Sequence, residues 1–538
     1  MKFNTNKQFA FQKIFILAVC TVVILPFLAL LFRAIFGLDS DPSVWIHVTR
    51  NVIPNILSNT FSLALYTSLF SILMGTYSAW LVTLSDFKYK KILHICSILP
   101  LIYPLYVMSF IYVGLFEYSA PTMTFFRNEW GINLKQFIDI KSVTSISLIF
   151  SLCLHPYVYL LLKQAFEGQG DHLFKVSRSL GYTKVESFLK ITLPLAKPWI
   201  FGSLAIILME TLADFGGVSV FNFDTFTTAI YESWTGMFSF ITATKLSAIL
   251  IFFALLVLGA EAKLTSKQKF FIKSKSGFVA PFELSQLFKS MALIWLLLLI
   301  VTTIFIPSYQ LFSWCKDNLD LQSLLNNYPY FYNTVRLAFI TALVTTIVTT
   351  LLASSSRFLK SVNWERLTKL TTLGYAIPGS IIAVAVFGLF TKIKISLGDF
   401  INQNSFLYFI LVVGLMTRFL SISYKNIFSS FKRISPNLDK AAALLAKPSV
   451  IIFKIHIPLI KSGIISGFLM VLIEVMKEMP MTLMLRPFGK DTLSVKIYEF
   501  TSEGDWERAA IPALLIVLAG FISIVIMTVV EKIGSKTK

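Results

Sequence analysis

Apolar residues in this chain run in blocks of roughly 20, separated by short charged stretches; that length lets one helix cross a hydrocarbon core about 30 Å thick. Twelve blocks are present, near 13–35, 61–83, 92–116, 144–164, 198–221, 240–261, 290–311, 333–355, 368–391, 405–423, 461–484 and 509–530. Blocks of this length predict helices rather than the short alternating strands of a membrane barrel. Between two of them the period changes. From Asp171 to Pro198 apolar residues (Leu173, Val176, Leu180, Val185, Phe188, Leu189) recur at helical spacing among charges, as they do in an amphipathic helix. Gly181 interrupts the pattern where a left-handed turn would end one helix, and Pro194 closes the next. The pattern predicts a short helix, a turn and a second helix lying against the membrane face.

This loop occurs twice. A shift of 264 residues carries Ile191-Thr-Leu-Pro194 onto Ile455-His-Ile-Pro458, Glu210 onto Glu474 and Asp214 onto Glu478. Asn59-Thr60 recurs as Asn333-Thr334, Pro104 as Pro378, and Asp224-Thr-Phe-Thr-Thr-Ala-Ile-Tyr231 as Asp491-Thr-Leu-Ser-Val-Lys-Ile-Tyr498. The expected architecture is an all-α integral membrane protein of about twelve spans in two six-span repeats, residues 1–262 and 290–538, joined by a basic linker over 263–289. Six spans is an even number, so the repeats enter the membrane in the same orientation and are parallel, with a pathway expected between them.

Composition agrees with a membrane protein. The chain has 538 residues, 56% hydrophobic and only 14% charged, with a mean hydropathy of +0.73, whereas soluble domains are near one quarter charged. The net charge of +20 is no sign of nucleic-acid binding. With the N-terminus inside, about 32 Lys and Arg fall in inner segments and about 12 in outer ones, the bias of the positive-inside rule. Both termini and both repeated loops are therefore expected in the cytosol. The linker's basic residues read as anchors with some attraction to anionic lipid. The apolar run ending near Phe32 lacks a small-residue cleavage site and reads as an uncleaved span. The four cysteines, Cys20, Cys96, Cys153 and Cys315, are scattered, and no metal site or disulfide framework is visible.

The spans carry unusual charges. Glu210 and Asp214 are four apart, as are Glu474 and Glu478, and on a continuous helix each pair shares a face. Thirteen residues from Lys197 or Lys461 to the first carboxylate is about 20 Å of helix rise, which places both pairs in the outer half of the core. A central acidic residue costs about 2.5–3.5 kcal/mol on insertion scales, so four of them are not expected to face lipid. They either line a substrate path or fix packing, paired with Lys477 or Lys245 or left wet where a helix ends early. Oxygen ligands suit a hard cation such as Fe(III).

The spacing Gly181, nine residues, Ile191-x-Leu-Pro194 resembles the EAA loop of ABC importer permeases. Lys175-Val176-Ser177 stands where Glu-Ala-Ala is usual, and in the second copy either Leu445 or Ala446 takes the glycine position. The stretches Met209–Gly216, Asp224–Tyr231, Lys477–Pro480 and Leu485–Leu493 resemble the fused permeases of ferric-iron ABC importers. The resemblance implies coupling of a separate ATPase dimer, which uses ATP and Mg, through Lys175, Ser177, Gly181, Ile191, Pro194, Asp439, Ala441, Leu445, Ala446, Ile455 and Pro458. It implies a periplasmic binding protein at the outer face of a bacterial inner membrane, and Asp224 and Asp491 are candidates to receive it, against the simpler role of capping their loops. The chain has no Gly-x-x-x-x-Gly-Lys-Ser/Thr, so no ATP-binding cofactor site is expected in it and no enzyme activity of its own. Thiamine, a polyamine or another small solute stays open as cargo. An ion-gradient-driven secondary transporter or a passive channel stays open as machine.

Overall fold

The computed structural model describes residues 10–37, 42–266, 282–316, 320–359, 362–397, 402–445 and 448–536. Twelve helices organise it: α1 (Ala10–Phe36), α2 (Ile53–Thr83), α3 (Leu105–Phe116), α4 (Val143–Ser179), α5 (Lys197–Ala213), α6 (Phe240–Ser266), α7 (Gln286–Lys316), α8 (Leu321–Phe358), α9 (Gly379–Leu397), α10 (Gln403–Phe431), α11 (Lys461–Lys477) and α12 (Trp506–Lys536). Among the described residues the one β-bridge joins Ser85 to Phe282, so the class is all-α. Seven helices are long and apolar enough to cross a membrane unbroken, and eleven cross if each of four bent pairs is one span. The twelfth apolar block lies on α12, outside those eleven.

Two predicted spans are broken, and proline explains why. The blocks at 92–116 and 368–391 each divide into two helices, bent by 93° before α3 and by 115° before α9. The residues at the breaks, Tyr103 and Ile377, are extended, the conformation that a following proline imposes, here Pro104 and Pro378. The linker is also shorter than 263–289: α6 runs to Ser266 and α7 begins at Gln286. Its end is tied back to the first half, where Asp86 N donates to Phe282 O at 2.8 Å and Asp86 Oδ1 accepts from Leu284 N at 2.9 Å. Outside the spans, the Leu284 N–H, followed by Lys289, holds the Asp86 carboxyl below its usual range.

Elements recur in register. Helices α5 and α11 have 17 residues each, and short helices follow them at Gly216–Val220 and Pro480–Leu485. The repeated Asn-Thr motifs do the same work in each half. Asn59 donates to the backbone oxygen of Asp224 at 3.0 Å, and Asn333 to that of Asp491 at 3.1 Å. Thr60 accepts from Phe226 N and Thr334 from Leu493 N.

The first helix of each half packs on the other half. On α1, Ile16, Val19 and Val23 cluster with Leu352, Leu359 and Leu420, and Cys20 Sγ donates to Leu367 O at 3.6 Å. From α7, Trp295 donates to Ser78 Oγ at 3.0 Å, Thr302 O accepts from the Tyr112 hydroxyl, and the Ser308 and Tyr103 hydroxyls share a hydrogen bond. Within the second half α8 buries Thr341, Thr345, Thr349 and Ser355, and Gly463 and Gly467 of α11 abut Ser430 and Ser423. Small residues let backbones approach closely where lipid offers no hydrophobic drive.

Candidate functional site

At the end of α5 the chain does not continue helical to residue 221. Asp214 is extended (φ −70°, ψ 132°), and Glu478 after α11 likewise (φ −72°, ψ 123°). The expectation that each carboxylate pair shares one helix face is therefore corrected: the second member lies past the helix end and caps the short helix beyond. Asp214 Oδ2 accepts from Val218 N at 3.0 Å. Glu478 accepts from Met481 N and Thr482 N, both at 3.1 Å. Their backbone oxygens accept equivalent hydroxyls, Thr227 at 2.5 Å and Ser494 at 2.9 Å. A carboxylate at a helix N-terminus satisfies N–H groups that have no helical partner.

The two caps differ in charge balance. Arg418 on α10 reaches Glu478 Oε1 at 3.2 Å, the two side chains 14% and 2% exposed. Gly379, the first residue of α9, leaves the room: a Cβ there would meet both the guanidinium and the carboxylate. Position 154, the equivalent of Arg418 in the first half, is Leu. Lys477, expected to pair with a carboxylate, instead donates to the backbone oxygen of Leu101 at 2.9 Å. Lys245 sits over the Trp45 ring.

Glu210 and Glu474 remain on the helices and converge between the halves. They lie within electrostatic reach of one another, and Tyr157 and Tyr375 lie within reach of both. Tyr375 donates to Glu210 Oε1 at 2.8 Å. Both glutamates are half-buried. Nothing in the sequence singles out Tyr157 or Tyr375. Arg418 was visible as a charge within a span, without its partner.

Beyond these groups, at the end away from the repeated loops, lies a cavity of about 910 Å³. Its rim carries Glu117, Lys135, Asp139, Asp224, Glu232 and Glu503. Phe215, which is buried, meets Tyr231 at 5.0 Å and Tyr498 at 5.4 Å between ring centroids, and the two tyrosines are 6.1 Å apart. These rings line the cavity, whereas Glu210 and Glu474 do not. This aromatic trio is part of the cavity wall. Asp224 is exposed at this rim, whereas Asp491 is engaged by Arg486 at 2.7 Å. Among the described residues no three His, Cys, Asp or Glu side chains come together as a metal site.

At the opposite end the first repeated loop closes as expected. Gly181 has φ +86°, with Tyr182 N donating to Ser177 O at 3.2 Å and Gly181 N to Arg178 O at 3.0 Å, the bonding of a Schellman C-cap. Thr183 and Glu186 then form a capping box. The Thr183 N–H, followed by Lys190 and the Thr183 hydroxyl, brings the Glu186 carboxyl down to about 2. Ser177 donates to Ser187 Oγ at 2.8 Å. Ile191 and Pro194 are half-buried, and the Lys175 side chain lies outside what is described.

In the second loop Asp439 turns inward, accepting from Arg357 Nε at 2.7 Å and lying 3.1 Å from His456 Nε2. Burial holds the His456 imidazole below its usual pKa despite that carboxylate. Ala441 and Pro458 are exposed and Ile455 half-buried. Leu445 ends a helix from Pro436, and the alternative glycine position, Ala446, lies outside the described residues. Downstream the loops agree again, with five-residue π turns at Phe188–Thr192 and Ile452–His456 exactly where the shift of 264 puts them. Both present apolar side chains outward, Leu180 (69% exposed), Val185 and Leu189 in the first, Leu444 (83%) and Phe453 in the second.

Residues 69–262, which hold the first loop, α5 and the aromatic trio's first two members, match the family described as the binding-protein-dependent transport system inner membrane component. Over that stretch the chain carries that family's domain. It is 27% identical over 504 residues to the Fe(3+)-transport system permease protein FbpB 2 of Haemophilus influenzae, covering 92% of this permease and 93% of that protein. It is 22% identical to the ferric transport system permease protein FbpB of Actinobacillus pleuropneumoniae, over 87% of this chain and 70% of the other. The sulfate transport system permease protein CysT of Salmonella typhimurium matches 38% of the permease at 26% identity, over 70% of its own length. The chain is a multi-pass membrane protein, and the family matched over residues 69–262 is one of binding-protein-dependent transport.

Proposed function

We propose that this permease carries iron(III) inward, fed by a substrate-binding protein at the cavity end and driven by ATPase subunits at the loop end. The observation that carries it is the meeting of Glu210 and Glu474, one from each half, beside two phenols on the line from the cavity to the loops. Carboxylate and phenol oxygens are hard donors suited to a hard cation, and relatives that match along nearly the whole chain are named as ferric permeases. Two carboxylates hold such an ion loosely enough to release it. Labelled iron uptake by cells with and without this chain tests the cargo: unchanged iron uptake together with lost thiamine or polyamine uptake would overturn it.

Loop orientation follows the Lys and Arg bias, which puts the repeated loops and both termini in the cytosol. Each loop there offers an apolar ridge with no cover among the described residues, the kind of surface that marks a protein interface. Gly181→Val places a β-branched residue at φ +86°, which costs about 1–2 kcal/mol. Because no atom lies within 4 Å of a Cβ there, the effect is on the turn and not on packing. The variant is expected to insert normally and to lose most of its co-purifying ATPase. Undiminished co-purification would remove the first loop from the interface. Transport that persists without ATP in vesicles holding an ion gradient would favour a secondary transporter.

A further inference from the structure

The halves are tied together at two equivalent positions by different chemistry. The shift of 274 that carries Pro104 onto Pro378 carries Leu101 onto Tyr375, so both residues sit at the break preceding α3 or α9. Each is bound by the helix of the opposite half that bears a central glutamate. Lys477, on α11, donates to Leu101 O at 2.9 Å. Tyr375 donates in the other direction, to Glu210 Oε1 on α5 at 2.8 Å. Two bonds thus cross the junction between the halves at equivalent positions.

The two ties respond differently to a cation. Lys477 holds a backbone carbonyl at the end of a 3-10 turn (Leu99–Ile102), an acceptor that any helix end leaves over. Tyr375 holds a carboxylate oxygen of the proposed path. A cation on that oxygen and the phenol hydrogen compete for the same lone pairs. Loss of that bond leaves Lys477 as the remaining tie of the two.

We propose that Tyr375 is a positioning residue that latches the two halves through Glu210, and that cargo arriving at Glu210 releases the latch. This rests on the reading of Glu210 as part of the path. Separation of the halves is then coupled to occupancy by one side chain. Without cargo the latch keeps the halves together and restrains the ATPase; with cargo it opens. Losing one hydrogen bond to a charged acceptor shifts such an equilibrium about tenfold.

The test uses the permease with its ATPase subunits in proteoliposomes, with and without iron(III)-loaded binding protein. Tyr375→Phe is expected to raise cargo-free ATP hydrolysis about tenfold and to lower the iron carried per ATP. Spin labels at Glu232 and Glu503, on opposite halves of the cavity rim, should show a longer distance population appearing in the variant. A cargo-free rate and a label distance equal to wild type would overturn the latch. Lost iron uptake with both of those unchanged would overturn it too and make Tyr375 a direct cargo contact. If loaded binding protein leaves the wild-type rate unmoved while Tyr375→Phe still raises it, the iron reading fails and the latch stands.

Discussion

Glu210→Gln combined with Glu474→Gln is expected to lower iron uptake at least tenfold while the protein still inserts and assembles. Glutamine keeps the size of glutamate and an oxygen able to accept the Tyr375 bond seen at 2.8 Å, so packing at the junction is preserved. What disappears is charge. A unit cation 4 Å from a carboxylate gains about 4 kcal/mol at an effective dielectric of 20, and a tenfold change needs only about 1.4 kcal/mol. Each single variant should retain an intermediate rate, because the other half still presents its carboxylate. Uptake of labelled iron, normalised to permease in the membrane, reads the effect. A double variant that transports at the normal rate would return both glutamates to packing.

Arg418→Met should damage the fold rather than the transport chemistry. It leaves Glu478, 2% exposed, as a buried charge whose guanidinium partner is gone. Breaking a buried pair in that way costs about 3–5 kcal/mol. The backbone N–H groups of Met481 and Thr482 still cap the carboxylate, which places the loss near the lower end of that range. The unfolding midpoint in detergent should fall well below wild type, and Glu478→Gln added to Arg418→Met should recover much of it. An unshifted midpoint would mean that the pair contributes little, as exposed pairs do. A smaller effect is expected at Asp214, which Arg418 reaches only through longer-range electrostatics.

The fold class and the turns of the first repeated loop were legible in the sequence because each rests on local information. Span length is a property of one block, and Gly181 and Thr183-x-x-Glu186 announce their turns within a few residues. The breaks at Pro104 and Pro378 were visible as prolines, but a proline within an apolar block is compatible with a kinked span as well as with a turn of 115°. Asp214 and Glu478 were expected on one helix face with Glu210 and Glu474, and they lie past the helix ends. Spacing by four presumes that the helix continues, and only the short helices beyond show that it stops. Tyr157, Tyr375 and the Arg418–Glu478 pair were illegible because their meaning is long-range: Tyr375 acquires its role from a residue 165 positions away.

The exchange of first helices between the halves has a consequence for how the protein is made. Helix α1 ends at Phe36, yet the surfaces that cover Ile16, Val19 and Val23 come from Leu352, Leu359 and Leu420. On the ribosome this face of α1 must therefore wait in lipid until α8 to α10 have been synthesised, although its C-terminal end can already pair with α6, where Arg33 sits over the Phe240 ring. The second half has no such delay, since the surface for α7 already stands when it emerges. Maturation of this permease thus proceeds as a clasp that closes last at its own beginning.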